Sequence, residues 1–307
     1  MMRSLYSAIS GLKNHQTMMD VIGNNIANVN TTGFKKSRVT FATALSQSLK
    51  GASSPDTNDP ALYGGTNPMQ VGLGATLGSI DQIMTAGSSQ TTGNPTDMMI
   101  DGDNGFFVLD NAGQTVYSRA GAFTLDGDGN LVDPATGAIV QGQMYDADPA
   151  STDTPDFSTL SNIKIKIGDT AFGNTGSDGA LTSYSIDQNG IITGVYTDND
   201  TTSATYGQST THKIGQIAIA NFANASGLEN IGGSFYRPTN NSGTATLGAA
   251  GDNGTGTITT GSVEMSNVDL SQEMTNMIVA QRGFQANSRV ITVSDSLLQE
   301  LIDLKRQ

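Results

Sequence analysis

An α+β fold is what this sequence predicts, with helical ends forming a coiled-coil-like core domain and one or two mainly-β domains looped out between them. Three observations point there: apolar residues seven apart at both ends, alternating apolar runs broken by Asn-Gly and Asp-Gly turns in the middle, and an unusual composition. Only 14% of the 307 residues are charged, 36% are hydrophobic and 37 are glycine. That balance suits loop-rich β proteins that live outside the cytoplasm, with modest cores.

The first 30 residues read as a helix. Leu5, Leu12, Met19 and Ile26 recur every seven residues, with Ala8, Ile22 and Val29 on the adjoining seam and His15 interrupting it. Such a heptad stripe buries a narrow seam against another helix. The carboxy terminus offers the partner, because Val263, Leu270, Met277, Phe284, Ile291 and Leu298 keep the same spacing and Leu301 shares their face. One long helix over about 268–305 is expected, capped by Asp269 or Ser271. Gly283 costs on the order of 1 kcal/mol inside that helix, a cost explained if a neighbouring helix approaches there.

Between the ends the signal is β. Residues 162–169 (NIKIKIGD) alternate Ile163, Ile165 and Ile167 with Lys164 and Lys166, the pattern of a half-buried strand. SYSIDQNGIITGVY places two alternating runs around Asn189-Gly190, a hairpin signal, and IGQIAIANF (214–222) is another strand. Residues 97–133 are punctuated by Asn104-Gly105, Asn111-Ala112-Gly113 and Asp126-Gly127-Asp128-Gly129. Linkers rich in Pro, Ser and Asp at 51–60 and 146–157, and a Gly/Thr/Asn-rich stretch over 239–261, mark candidate boundaries. The expected domains are therefore 1–35 with 265–307 as the helical core, 36–70 as a linker or extended region, 71–144 with 181–264 as the main β domain, and 145–180 as a small outer β insert. Two distant apolar seams that want similar partners are satisfied if both ends pack together. They still present more stripe than two helices hide, which predicts association between copies.

Charge and composition exclude several functions. The chain carries 28 acidic against 15 basic residues for a net charge of −13. Six of the bases against one acid lie in residues 1–50, too sparse for nucleic acid, and the acidic middle would repel phosphate. With no cysteine and two isolated histidines, thiolate chemistry, His-based catalysis and metal binding are not expected. Asp126-Gly127-Asp128-Gly129-Asn130 starts like a calcium loop but has Leu131 and Gly137 where that loop needs glycine and glutamate. Gly72, Gly74 and Gly78 miss the dinucleotide spacing, and no GxSxG setting exists. No enzyme activity and no cofactor are expected. MMRSLYSAIS has no uninterrupted apolar core, so no cleaved signal peptide and no membrane insertion are expected.

SAISGL (7–12) with NNIANVNTTGFKKSRVTF (24–41) resembles the amino-terminal signature of flagellar rod and hook proteins, including Asn24, Asn25, Asn28, Gly33, Phe34 and Phe41. VDLSQEMTNMIVAQRGFQANSRVITVSDSLLQELIDL (268–304) is similar to the other half of that signature, and 105–133 and 214–243 resemble the family's β domain. The resemblance implies export, unfolded, through a flagellar type III apparatus. It also implies polymerisation of many copies into a hollow tube lined by the terminal helices, located in the hook or basal body. SYSIDQNGIITGVYTDND leading into IGQIAIANF, and the extra segment at about 145–180, look like the hook, a universal joint that passes torque to the filament. Its partners would be the rod below, a hook–filament junction protein above and the hook cap during assembly. The insert is shorter than hook proteins typically carry, which leaves the straight distal rod as the alternative. Terminal segments should be largely disordered in the monomer and helical in the polymer.

Overall fold

A computed structural model describes residues 2–54, 65–145, 157, 159–167, 180–197, 208–252 and 254–306. The chain divides into two compact units. The first comprises residues 1–27, 37–82 and 269–307, and the second residues 28–36 and 83–268.

The first unit contains two helices, α1 (Met2–Ala27) and α2 (Leu270–Arg306). Asp269 caps α2 as expected, its Oδ1 accepting the amides of Ser271 at 2.9 Å and Gln272 at 3.2 Å, which satisfies two of the helix's orphan donors. The helices run antiparallel, since Gly11 lies against Asn287, His15 against Gly283 and Asn25 against Glu273. Over its described residues the segment 36–70, expected as a linker or extended region, is extended and paired into strands. Ser37–Thr43 pairs antiparallel with Ala75–Gln82, and Ser46–Lys50 pairs with Met69–Gly72. The polar, Thr- and Ser-rich strands lack the clean alternation that marks a half-buried sheet, and all nine residues of the second pair are exposed. Part of the expected linker at 51–60 (55–60) lies outside the described residues.

The second unit is built on an antiparallel sheet whose main path runs 180–186, 191–197, 209–217, 139–144, 105–111, 114–118, 235–237, 229–232. The strand Gly105–Asn111 is buried on both faces. Phe107 and Leu109 enter one core with Phe123, Val140 and Ile217, while Phe106 and Val108 enter another with Tyr117, Phe222 and Tyr236. Side chains alternate along a strand, so an unbroken apolar run such as GFFVL serves two layers at once. The SYSIDQNGIITGVY hairpin forms, Ala180–Ile186 against Ile191–Thr197, with Asp187 and Gly190 closing the turn. IGQIAIANF splits at Ala218, where the chain leaves the strand 139–144 and turns to pair with 105–107.

Two expected boundaries fail. Over its described residues the Gly/Thr/Asn-rich stretch 239–261 is not a boundary; it supplies the strands Thr246–Gly248 and Thr257–Thr260, with Ser242 and Thr255 buried. The segment 145–180 is not a separate outer domain over its described part. Ser161–Asn162 pairs with Gln141 and Gly142, and Ile163 and Ile165 are buried in the core that also holds Leu131, Val140 and Ile217. The expected strand stops short, leaving Ile167 59% exposed, and the acidic, proline-bearing stretch 146–156 lies outside the described residues.

Tyr236 sits in the second core with its phenol deprived of water, which pushes its pKa up to about 12. Tyr117 and Tyr184 are raised for the same reason. A folded value above the unfolded one means the native state keeps a proton that the unfolded chain gives up. That stability is complete below about pH 10 and is lost as pH rises towards about 12. Tyrosinate absorbance should therefore show Tyr236 ionising together with loss of the native fold, after the exposed tyrosines. Ionisation of every tyrosine near pH 10 with the fold intact would contradict this.

Candidate assembly surface

The α1–α2 seam is built from two interleaved rows on each helix. On α1, Ala8 and Ile22 are buried and Leu5, Leu12, Met19 and Ile26 are half-buried. On α2, Met277, Phe284, Ile291 and Leu298 are half-buried. Leu270 and Leu301, expected in the seam, are 45% and 51% exposed; in the register that sets Gly11 against Asn287 and Asn25 against Glu273, both lie beyond the ends of α1. Val263, which extends the heptad row backwards in sequence, is not helical; it lies in the strand Ser262–Glu264 of the other unit.

The row that completes the α2 seam is one that apolar patterning cannot see. Glu273, Ala280, Asn287 and Ser294 are seven apart, and Glu273, Ala280 and Ser294 are buried. They are small or polar because the helices come close. A Cβ added at Gly283 would lie 2.5 Å from the His15 ring, and one at Gly11 would lie 2.7 Å from Asn287 Nδ2. Close approach therefore outweighs the helix propensity that would favour alanine at both sites by about 1 kcal/mol. Asn14 Nδ2 and His15 Nδ1 are buried without a hydrogen-bond partner among the described residues. Each such group costs about 1–3 kcal/mol, so this hairpin is weakly stabilised for its length.

The signature residues divide into distinct roles. Asn25 is buried, its Nδ2 donating to Ser37 O at 2.8 Å and to Glu273 Oε2 at 3.3 Å, while its Oδ1 accepts Ser37 N–H at 3.0 Å. One side chain thus ties α1 to the start of a strand and to the first turn of α2. Gly33 has φ +68°, and a Cβ there would lie 2.5 Å from Ala120 N, so both backbone conformation and space demand glycine. Phe34 is half-buried, and its carbonyl accepts the Asn267 amide at 3.4 Å. Asn28 is half-buried and its Oδ1 accepts the Thr31 hydroxyl at 3.1 Å; Asn24 is exposed and Phe41 is 42% exposed.

A group that the sequence reading missed is a fully buried ion cluster in the second unit. Glu264 receives Lys35 Nζ at 2.6 Å and Arg119 Nη1 at 3.4 Å, with all three side chains at 0% exposure. Arg119 also stacks over Phe106, 5.2 Å from the ring centre. Loss of water holds Lys35 below the usual lysine pKa, against the attraction of Glu264. Lys35 and Arg119 stood inside segments that carry the resemblance and Glu264 did not; nothing in periodicity announces that the three meet.

Most of the exposed apolar surface of α2 forms a second stripe. Val279, Ala286, Val290, Val293, Leu297, Leu301 and Leu304 recur at three- and four-residue steps, roughly a quarter-turn or more from the seam, and the large ones among them are 43–71% exposed. Tyr6 and Ile9 on α1 are 65% and 41% exposed. The antiparallel register puts them at the same end of the hairpin as Val290 and Val293. A monomer rarely leaves so continuous an apolar face in water.

Among the described residues no chemical site comparable with this surface stands out. A shallow polar cavity of about 300 Å³ is lined by Tyr145, Lys213, Gln216 and Asp252 among others, with one charge of each sign. Among the described residues no three His, Asp or Glu side chains converge, and Asp126 spends its carboxylate on the amides of Asp128 and Asn130 in a turn. No described helix is long and apolar enough to cross a membrane.

Three family models match the chain. They are the flagella basal body rod protein over residues 5–35, the flagellar hook protein FlgE/F/G D1 domain over 99–194, and the flagellar basal body rod FlgEFG protein C-terminal region over 259–304. The chain is 47% identical to the flagellar basal-body rod protein FlgG of Bacillus subtilis (strain 168) over 307 residues, covering 100% of both. It is 33% identical over 307 residues to FlgG of Borreliella burgdorferi, again covering 100% of both. Against the flagellar hook protein FlgE of that organism it is also 33% identical, but the alignment spans 456 positions to cover 99% of this chain and 100% of the hook protein.

Proposed function

The chain belongs to the family of flagellar rod and hook proteins, an axial structural protein of the bacterial flagellum, and from that premise we propose that it is a subunit of the distal rod, the straight drive shaft of the basal body. Length carries this reading. Within one organism, identity to the rod and hook relatives is equal at 33%, yet the rod relative aligns over 307 positions and the hook relative over 456. The hook expected from the 145–180 segment loses its main support, because the described part of that segment belongs to the core of the β-rich unit. With it go the hook cap and the junction protein as direct partners.

The role is structural, with no chemistry at a catalytic centre. Copies polymerise into a tube through a coiled-coil-like core of terminal helices, in which Leu5, Ala8, Leu12, Met19, Ile22, Ile26, Met277, Phe284, Ile291 and Leu298 close the hairpin within each subunit. Leu301 joins the stripe that faces other copies, and Leu270 lies on the opposite side of α2 from that stripe. The weakly stabilised seam suits a chain exported unfolded through the type III apparatus, whose helices gain stability on packing with neighbours. Immunogold labelling of purified hook–basal bodies tests the reading. Label confined to the straight segment enclosed by the rings is the expected result; label on the curved external segment would return the chain to the hook.

A further inference from the structure

The chain passes between its two units after residues 27, 36, 82 and 268. Three of these four passages meet one side chain on the β-rich side. Asn267 Oδ1 accepts Lys36 N–H at 2.8 Å, and its Nδ2 donates to Ile83 O at 2.8 Å and Thr85 O at 3.2 Å. Backbone bonds from Ile83 N–H to Lys36 O (2.9 Å) and from Asn267 N–H to Phe34 O (3.4 Å) complete the lacing. One residue further in, the ion cluster joins the same segments. Lys35 Nζ reaches both Glu264 Oε1 at 2.6 Å and Thr85 O at 2.8 Å, Glu264 Oε1 also accepts Gly87 N–H at 2.8 Å, and Glu264 O accepts Gly33 N–H at 2.8 Å. The 36–37 passage is pinned on its other side as well, by Asn25 on the Ser37 backbone.

We infer that Asn267 and the Lys35–Glu264–Arg119 cluster form a mechanical clasp, holding together the segments 33–36, 83–87 and 262–267 by which the β-rich unit is tethered to the rest of the chain. A segment pulled at its end ordinarily peels, one exposed hydrogen bond after another, with water replacing each. Here the first bonds met, those of Asn267, are part-buried or exposed but shared among three segments, and the Lys35–Glu264 pair directly behind them is buried. The buried pair is not exchanged with water until the bonds in front of it yield, and drawing Lys35 out leaves Glu264 and Arg119 without their water or their full set of partners. Two cations sharing one carboxylate is a poor arrangement for stability alone, and Arg119 Nε and Nη2 lack partners among the described residues. Its placement directly behind the passages accounts for it as a device against load. That the load is torque rests on the axial-subunit reading; the mechanics are a property of the single chain.

The absence of cysteine allows unique handles to be placed in the full-length chain. Arg38→Cys with Ser271→Cys loads the clasp through its passages, and Asp128→Cys with Gln188→Cys loads the same unit through remote exposed loops. Under constant load through the first pair, Asn267→Ala and Lys35→Met should each shorten the lifetime of the β-rich unit by about tenfold, the rate equivalent of one net hydrogen bond. Through the second pair the lifetime should be unchanged. Lys35→Met keeps one cation for Glu264 and guards against the misfolding that Glu264→Gln risks. Equal loss through both pairs would make the cluster a general stabiliser, and no loss through the first pair would dismiss it; either overturns the clasp. Neither result depends on where in the flagellum the chain resides, so a failed immunogold assignment and a failed clasp are distinguishable.

Discussion

Replacing Ile22 by aspartate is expected to open the α1–α2 hairpin and abolish assembly while the β-rich unit stays folded. Ile22 is 4% exposed, among the most buried residues of the helical seam. A carboxylate there has no cation opposite, since the α2 seam row is Glu273, Ala280, Asn287 and Ser294. Truncation to alanine alone would cost about 2–5 kcal/mol at such a site, and an unpaired buried charge costs more. The hairpin cannot absorb that loss, because its seam already carries buried Asn14 and His15 atoms without partners among the described residues. Helices of this length are marginal in water without packing, so most of the helical signal should vanish with the seam. The two apolar cores of the β-rich unit contain no residue of either helix and should melt at an unchanged temperature. Circular dichroism and sedimentation of the secreted variant read both outcomes. Polymers of normal length from Ile22→Asp would dismiss the seam.

How far the sequence foretold this arrangement depends on the kind of residue that does each job. Leu12, Met19, Phe284 and Ile291 were legible because a buried apolar stripe is periodic by geometry. Glu273 and Asn287, in the same seam, were not, because close helix approach selects small and polar residues whose spacing looks like solvent-facing sequence. The strand Gly105–Asn111 could be seen as buried, yet no pattern told that its two faces serve different cores. Ile163 and Ile165 were seen as a strand and placed in the wrong domain, since the acidic stretch before them reads as a boundary whether or not the chain afterwards returns to the same core. The clasp was invisible for a simpler reason: Lys35 and Glu264 are 229 residues apart, and a single ion pair leaves no periodic trace. Leu301 keeps the seven-residue step after buried Ser294, but in the antiparallel register α1 ends before reaching it, and a sequence stripe does not tell where the partner helix stops.

That displaced leucine belongs to the second stripe, whose disruption should separate folding from assembly. Changing Leu297, Leu301 and Leu304 together to glutamine should leave the hairpin and the β-rich unit as they are and stop polymerisation. All three side chains are 45–71% exposed, so the subunit loses little packing by the change, and glutamine keeps nearly the helix propensity of leucine. In a polymer where another copy covers them, each loses about 1.5–3 kcal/mol of apolar burial, and the losses recur at every interface along the tube. The same triple change made with methionine, which keeps apolar area, should restore assembly. Light scattering of purified chains at matched concentration, with circular dichroism as the control for folding, reads the difference. Normal polymerisation by the glutamine variant would mean that the exposed face of α2 is not covered by a neighbour, and that the tube is held together elsewhere.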